Sequence, residues 1–497
     1  MQHVGYLARY TTEPEQRVDP QTSRDLALDH VFGAIDRTIT PIGAQYLYRL
    51  LTTRQSETRH QRLSEAIDAD PDLRQRIVRE LAPLDHADGW TTVPLLWNTP
   101  SLPRIPLWGV RSLQAALVLC LPLSLLWSPL LLGAAVVSAV NVLLHFAIQR
   151  AMLEHYAPLR YLAQVVFVAE RLKRSRAEGL EEVRRELHSQ RIAAGALTAG
   201  AFHLRLDGAV GLVEFARAFA LLEVAAVYRL FGLVERDRVA LQTVVQLLAE
   251  VDAAFSTAAL RQRDDVCVPV EAPEAGVLQA RDLRHPLLPV AVGNDFDLHK
   301  RGALIVGHNM SGKSTFLRTV AVNVILAQTV HAVFARSFRA TRLAVMSCVT
   351  INDDLSRGTS YYLEEARVMG QMLHAAATHP PGRVLFVVDE PFRGTNPVER
   401  VAAGVSVLGH LADTQLVVAA THDLELLAHL RGLDSYHFSG TVANGEPEFD
   451  YRLRRGLQES RGYMAIELLA QLGYPHPVVR RAFELLRRGS ASNGHRP

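Results

Sequence analysis

The segment GALIVGHNMSGKSTFLRTVAVNVILAQ, which begins at Gly302, constrains the fold of this 497-residue chain more than any other feature. An apolar run typical of a buried strand leads into a glycine-containing loop, and a helical pattern follows at once. The loop has the spacing G-x-x-x-x-G-K-S from Gly307 to Ser314. Such glycines let backbone amides curl around phosphate oxygens, and the helix amino terminus adds partial positive charge. The segment therefore predicts a phosphate-binding loop of the P-loop type.

The loop residues have distinct expected roles toward a bound nucleotide. Lys313 is expected to neutralise the terminal phosphates, and Ser314 to hold Mg²⁺. ATP and Mg²⁺ are therefore the predicted cofactors. The candidate nucleotide-binding residues of the loop are Gly307, His308, Asn309, Met310, Ser311, Gly312, Lys313, Ser314 and Thr315.

Two carboxylates follow a second apolar run, RVLFVVDE, at Asp389 and Glu390. A P-loop fold needs a Walker B acid at the carboxyl end of a strand, and this pair meets that need. We expect Asp389 to complete the metal site with Ser314, and Glu390 to polarise the attacking water as general base. A solvated acidic pair is a weaker alternative, because the chain already contains a phosphate loop.

A third apolar run, TQLVVAATH, ends in Thr421 and His422. A histidine at this position can sense the terminal phosphate and the attacking water, so His422 is the second catalytic candidate. A purely structural role is the alternative that the sequence leaves open.

An uncharged stretch lies between Arg111 and Arg150, and it is more apolar than a soluble amphipathic helix. The tripeptide Trp-Ser-Pro at 127–129 interrupts it near the middle and supplies a turn. The pattern predicts a two-helix membrane hairpin through residues 112–149. Arginines on both flanks place both ends in the cytoplasm by the positive-inside rule. The alternative is a hairpin buried between other helices or against a second subunit.

The rest of the chain divides into a helical part and an alternating part. Helical patterns cover residues 25–81 and 151–262, whereas short β-rich runs such as VCVPV alternate with helices after about residue 266. Three cysteines at scattered positions suggest neither disulfides nor a zinc site. The amino terminus has no apolar core behind a basic start, so no cleavable secretion signal is expected.

Several motifs together resemble the MutS mismatch-repair family. GHNMSGKST resembles its phosphate loop, with His308 and Ser311 in place of the usual proline and second glycine. DEPFRGTNPVER resembles its Walker B and D-loop, ATHDLELL its switch histidine, and INDDLSRGTSYYLEEA the segment before Walker B. RHPLL, NDFDL and the closing SRGYMAIELLAQLGYPHPVVRRAFELL resemble the flanks of its ATPase domain. FGAIDRTITPIGAQYLYRLL and LLAEVDAAF resemble the two ends of its helical core.

The resemblance implies a homodimer with composite ATP sites, in which Ser360 reaches across to the partner's γ-phosphate. A simple helix-capping serine is the alternative for Ser360. ATP binding would close the dimer and hydrolysis would open it, moving the helical arms. The family's mismatch-recognition domain is not expected, because the helical core begins near residue 25. The arginines of RLKRSRAEGLEEVRRELHSQR are interleaved with acids, which favours a solvated helix face over a DNA contact.

The predicted fold is multidomain α and α/β, a helical core and lever domain followed by a P-loop NTPase domain of the ABC/MutS type. The predicted boundaries are helical core 1–104, apolar hairpin 105–149, helical lever 150–265, ATPase domain with dimerisation helices 266–489, and disordered tail 490–497.

Two functions are consistent with these patterns. One is a MutS-like dimeric ATPase that couples ATP hydrolysis to arm movement and binds DNA, in mismatch repair or related DNA-structure sensing. The other is a membrane-anchored ATPase switch that acts on a protein partner without DNA. Both predict a cytoplasmic ATPase attached to the inner face of the cell membrane. A transporter subunit ranks lower, since no LSGGQ-type signature is present.

Overall fold

The computed structural model describes residues 3–54, 57–98, 107–175, 177–204, 222–298, 301–308, 310–350, 361–443, 446–456 and 473–492. They form two compact units. The helical unit comprises Met1–Arg17 and Ile35–Gln262, and the sheet unit comprises Val18–Ala34 and Arg263–Pro497. The predicted domain 1–104 is thus divided, because Val18–Ala34 packs with the sheet unit. The other predicted boundaries remain predictions.

The described secondary structure of the helical unit is mainly α-helix. Its described helices, numbered along the whole chain, are α1 (Tyr6–Thr11), α4 (Pro41–Leu51), α5 (Thr58–Ala69), α6 (Pro71–Leu81), α7 (Thr92–Trp97), α8 (Leu107–Leu123), α9 (Pro129–Arg174), α10 (Glu181–Ser189), α11 (Ala194–Leu204), α12 (Leu222–Arg236) and α13 (Arg238–Arg261).

A buried carboxylate fixes the start of α4 against α13. Asp252 of α13 accepts hydrogen bonds from the backbone amides of Ile39 and Thr40 at 2.8 and 2.7 Å. The Thr40 hydroxyl donates to the same carboxylate and accepts from the Gly43 amide, which caps the helix. Proline at the first helical position, Pro41, lacks the amide that would otherwise need a partner. Thr40 therefore both caps α4 and joins its start to Asp252 of α13.

Among the described residues, α13 is the one helix long and apolar enough to cross a membrane, but 78% of its most apolar stretch is buried in the helical unit. It also buries Glu250 and Asp252. These features identify α13 as a core helix of the unit. The two apolar helices of the predicted hairpin, Trp108–Leu123 and Pro129–His145, are shorter. The second of them is continuous with α9, which crosses the predicted boundary at 149 without a break.

The sheet unit is built on a mostly parallel six-stranded sheet. Its order is β10, β9, β4, β8, β7, β6, in which β10 pairs antiparallel with β9 and the other pairs are parallel. A second sheet of four strands has the order β1, β5, β2, β3. The strands are β1 (Val270–Glu271), β2 (Leu278–Leu283), β3 (Asn294–Asp297), β4 (Gly302–Val306), β5 (Ser337–Ala340), β6 (Ala344–Cys348), β7 (Val384–Asp389), β8 (Leu416–Thr421), β9 (Asp434–Ala443) and β10 (Glu446–Arg455).

The sheet unit also contains helices. They are α2 (Pro20–Asp25), α3 (Leu28–Ile35), α14 (Lys313–Thr329), α15 (Tyr361–Thr378), α16 (Pro397–Thr414), α17 (Leu424–His429) and α18 (His476–Ser492). Strand β4 is buried at every residue, as expected for a central parallel strand with helices on both faces. This layout agrees with the predicted α and α/β classes.

Two local expectations differ from the structure. The run VCVPV forms only the short β1 at its end, and Cys267 makes an isolated bridge to Val333. A proline inside the run removes an amide donor, which limits strand pairing. Helix α18 continues to Ser492, into the predicted disordered tail 490–497, because a single glycine lowers helix stability by only about 1 kcal/mol.

Candidate nucleotide site

Three adjacent parallel strands bring the predicted motifs together. In the sheet, β8 lies between β4 and β7. The phosphate loop follows β4, His422 follows β8, and Asp389 ends β7. Because parallel strands end at the same edge of a sheet, all three motifs converge there, at the place where open α/β sheets bind ligands.

The phosphate loop is held in its curved form by its own lysine. Lys313, 5% exposed, donates from Nζ to the carbonyl oxygens of Gly307 and His308 at 2.8 and 3.1 Å. Gly312 has a φ of 103°, a left-handed conformation that favours glycine. A Cβ at Gly307 would lie 2.8 Å from Oγ of Ser311, so this position has no room for a side chain. The described loop residues therefore have the curved geometry expected of a phosphate loop.

The two predicted acids occupy different environments beside this lysine. Glu390 Oε1 lies 3.8 Å from Lys313 Nζ. Burial raises the pKa of Asp389, and a hydrogen bond from the Ser314 hydroxyl partly offsets this. Burial also lowers the pKa of Lys313, against the pull of Glu390 and Asp389. The cation and the acids thus stabilise one another's charged forms.

Glu390 and His422 are directly paired. The Nδ1 atom of His422 lies 2.7 Å from Glu390 Oε2, and the His422 amide donates to the same oxygen at 3.3 Å. Glu390 itself has a φ of 49°, which is unusual for a residue with a side chain, and its amide donates to Ala420 of β8 at 2.9 Å. The next residue, Asp423, is held by Arg400. The histidine and the glutamate therefore act as one hydrogen-bonded unit.

The motifs open into a cavity of about 760 Å³, a volume typical of small-molecule sites. Of the predicted site residues, its wall contains His308, Met310, Gly312, Lys313, Ser314, Thr315, Asp389, Glu390 and His422. Ser311 is buried beneath the loop, next to Gly307. Asn309 and Ser360 lie outside the described residues, so their predicted roles remain predictions.

The opposite wall of the cavity was missed by motif reasoning. It contains apolar residues between β2 and β3, including Leu288 and Val290, together with Phe438 of β9 and Tyr451 of β10. Asn294 joins these parts, since its side chain donates to the Tyr451 carbonyl and accepts from the Leu453 amide. The segments RHPLL and NDFDL were the only sequence signal for this wall.

A second unpredicted group links the amino-terminal segment to the phosphate-loop helix. Asp25 accepts hydrogen bonds from the Ser347 hydroxyl and from the amides of Val349 and Thr350 at 2.8, 2.9 and 3.0 Å. Arg318 of α14 donates to the Asp25 carbonyl and to the Thr350 hydroxyl. Thr350 directly precedes the segment that contains Ser360. No local motif marks this contact, because its partners lie far apart in the chain.

The donor set fits Mg²⁺. The Asp389 Oδ1 atom is buried and has no hydrogen-bond partner among the described residues. Buried polar atoms without partners are rare, and a bound ion is one explanation for them. No cluster of three or more metal-binding side chains occurs in the described part of the chain. Mg²⁺ in nucleotide sites commonly uses one or two protein ligands plus phosphate oxygens and water, which Asp389 and Ser314 match.

The fold and the site together define a P-loop nucleotide-binding protein. Comparison with known proteins then gives the family. Residues 303–488 match MutS domain V. The chain is 33% identical over 278 residues to "DNA mismatch repair protein MutS 2" of Halobacterium salinarum, covering 52% of this chain and 31% of that relative. It is 34% identical over 299 residues to "DNA mismatch repair protein MutS" of Sorangium cellulosum, covering 56% and 32%. Residues 303–488 of this chain are thus a MutS domain V, and the similarities support a MutS-family protein.

The matches span about a third of the curated relatives, 31% and 32% of their lengths. The matches support the resemblance drawn from the motifs. The activities and partners of the whole relatives are proposals for this chain.

Proposed function

We propose that this chain is a Mg²⁺-dependent ATPase of the MutS type, which hydrolyses ATP to ADP and phosphate and works as a dimer on DNA. One observation carries the proposal. Lys313, Asp389 and the Glu390–His422 pair meet at one edge of the sheet around a cavity of about 760 Å³. This arrangement supplies phosphate binding, metal binding and a positioned base in one place.

Hydrolysis needs a polarised water and a stabilised phosphate. Lys313 and the loop amides hold the terminal phosphates and neutralise their charge. Ser314 and Asp389 would hold Mg²⁺, which would supply further charge neutralisation. Glu390 accepts the proton of the attacking water, and His422 fixes the orientation of that carboxylate through its Nδ1 contact. Pairing with His422 keeps Glu390 Oε2 in place, while Oε1 faces Lys313.

The dimer is part of the proposal and is supported by the family resemblance. In that arrangement Ser360 completes the partner's site, and ATP binding brings two copies together. The Asp25 carboxylate holds Val349 and Thr350, the last described residues before the segment that contains Ser360, within the sheet unit. Closure would then move the helical arms.

DNA is the proposed partner because the similar proteins are named as DNA mismatch repair proteins. This similarity favours DNA over the alternative of a protein partner without DNA. The test is equilibrium binding of the purified protein to duplex and branched DNA across a salt series. We expect affinity to fall steeply as salt rises, because phosphate contacts release counterions. Absence of binding at low salt would favour a protein partner.

The hydrolysis proposal is tested with Glu390→Gln. The amide keeps the size of the side chain but cannot accept the water proton, so turnover should fall by roughly 100-fold or more while ATP binding remains. Phosphate release and ATP affinity are measured in parallel. Glu425→Gln, an exposed acid on α17, is the matched control and should turn over like the wild type. Undiminished hydrolysis by Glu390→Gln would remove Glu390 as the base.

A further inference from the structure

The apolar hairpin, defined here as α8 together with residues 124–145, exposes apolar side chains around its outer surface. The tip residues Leu125, Leu126 and Trp127 are 89%, 86% and 63% exposed. Outward-facing positions along both helices are also apolar. They are Trp108, Val118, Leu119, Leu121, Leu123, Leu131, Leu132, Val136, Val140 and Leu143. A contiguous apolar surface of this extent is not typical of a protein face in water.

Two polar side chains of the hairpin are buried. Asn141 is fully buried and His145 is 4% exposed, on the same side of α9 as the buried Ala134. The spacing of these residues places them on one helix face. The hairpin thus turns these two polar groups inward and the apolar side chains named above outward. Helix pairs in lipid show this arrangement, because polar groups face the helix contact and apolar groups face the acyl chains.

The turn of the hairpin satisfies its own backbone. The amides of Ser124, Leu126 and Trp127 donate to carbonyls of the preceding turn at 3.0 to 3.1 Å. The Ser124 hydroxyl also donates to the Leu121 carbonyl at 2.7 Å. Pro129 has no amide to satisfy. Internal pairing of this kind is required at membrane depth, because hydrocarbon offers no hydrogen-bond partner.

The hairpin is long enough to enter the hydrocarbon core of a bilayer. The part of α8 that follows Arg111, residues 112–123, corresponds to about 18 Å of helix. The hydrocarbon core of a bilayer is about 30 Å thick. The uncharged stretch is bounded in the sequence by Arg111 and Arg150, at the ends remote from the turn. Arginines that flank an apolar stretch suit the headgroup layer, and the positive-inside rule makes it the cytoplasmic one.

We propose that the apolar hairpin inserts into the hydrocarbon core of a lipid bilayer, tip first, and anchors this chain to the cytoplasmic face of a membrane. Lipid is the occupant that the observations favour. The exposed leucines, valines and tryptophans extend along both helices and over the tip, and the stretch that carries them is uncharged between Arg111 and Arg150. This proposal does not depend on ATP hydrolysis.

The test uses the full-length protein, purified in detergent and reconstituted into vesicles of phosphatidylcholine and phosphatidylglycerol. Wild type should float with the vesicles, and brominated acyl chains should quench its tryptophan fluorescence, of which Trp127 at the tip is a source. The double variant Leu125→Arg, Leu126→Arg should lower the floated fraction at least tenfold. Val239→Arg, which changes an exposed valine on α13, should float like the wild type.

Nucleotide binding of each variant in detergent checks that the chain is folded. The proposal is overturned if the wild type stays soluble without detergent and does not float. It is also overturned if the tip variant floats as well as the wild type. A tip-dependent oligomer that forms without lipid would assign the hairpin to a second copy of the chain instead.

Discussion

The two units each withdraw an aspartate from water, but they treat it differently. In the helical unit, the carboxylate of Asp252 receives three hydrogen bonds from Ile39 and Thr40. In the sheet unit, the Oδ1 atom of Asp389 is buried without a partner among the described residues. Burial is the largest cause raising the pKa of both groups, to about 7 for Asp252.

The difference separates structural from functional carboxylates. Donors from the chain itself offset the burial of Asp252, so this residue holds α4 against α13. The chain leaves one oxygen of Asp389 for a group that is not part of the chain, and Lys313 and Ser314 stand beside it. Unmet bonding capacity at the end of a buried strand therefore marks a binding site.

The largest expected effect comes from Lys313→Ala. Removal of the ammonium leaves the phosphates without their main counter-charge and the loop without its two carbonyl contacts. ATP affinity should fall roughly 1,000-fold, about 4 kcal/mol, as measured by equilibrium nucleotide binding. Lys173→Ala, which removes a lysine paired with Glu170 in the helical unit, is the control and should bind ATP normally. Wild-type affinity in Lys313→Ala would refute the phosphate-loop assignment.

Replacing Asp389 and Asp252 by asparagine, one at a time, tests the distinction between a functional and a structural carboxylate. Asp389→Asn should lower Mg²⁺-dependent hydrolysis roughly 100-fold without reducing stability, because it removes a buried charge of which one oxygen has no donor among the described residues. Asp252→Asn should lower the free energy of unfolding, since the amide nitrogen cannot accept the donors of Ile39 and Thr40. Turnover and denaturant unfolding are measured for both. Equal loss of stability in the two variants would contradict the distinction.

Gly43→Ala should disturb Asp252 without changing it. A Cβ at Gly43 would lie 2.0 Å from Asp252 Oδ2, so either the carboxylate or α4 must move. We expect a loss of about 2 kcal/mol in unfolding free energy, as for other overpacked cores. Gly232→Ala on α12 is the matched control, because no atom lies within 4 Å of its Cβ position. Helix propensity alone should raise the stability of Gly232→Ala by up to about 1 kcal/mol, so an equal loss of stability in both variants would contradict the overpacking explanation.

The sequence predicted those parts of the site that are encoded by consecutive residues. It did not predict the parts that depend on contacts between distant residues. The phosphate loop and the two acids lie on strand-loop-helix segments whose order in the chain fixes their meeting at one sheet edge. The opposite wall, with Phe438 and Tyr451, comes from β9 and β10, and its position depends on tertiary packing. The same holds for Asp25, because its partners Ser347, Val349 and Thr350 are more than 300 positions away.

Helix boundaries in the helical unit were harder to predict for a related reason. The change from uncharged to charged composition near Arg150 suggested a domain boundary, yet α9 runs through it from Pro129 to Arg174. The composition of a helix reflects whether its surroundings are apolar or polar. The end of a helix is instead set by a helix-breaking or capping residue. The inward position of Asn141 and His145 also needed the paired helices, because an isolated pattern does not show which face meets a neighbour.

The smallest expected effect concerns His422, which contacts the carboxylate of Glu390. The donors to Asp252 come instead from Ile39 and Thr40. The Nδ1 atom of His422 lies 2.7 Å from Glu390 Oε2, and its Nε2 lies 3.8 Å from Asp423 Oδ1. His422→Ala should lower kcat about tenfold and leave KM for ATP nearly unchanged, because the histidine positions Glu390 and does not hold the phosphates. His422→Gln, which can still donate toward Glu390, should recover part of the rate.

The control for this series is His429→Ala, at the end of α17 and outside the cavity wall. Steady-state kinetics separate the two outcomes, since loss of a positioning contact lowers kcat, whereas loss of a binding contact raises KM. Unchanged kcat in His422→Ala would show that the buried end of β7 and the backbone bond to Ala420 suffice to orient Glu390. The distinction between the two units would then rest on Asp389 and Lys313 alone.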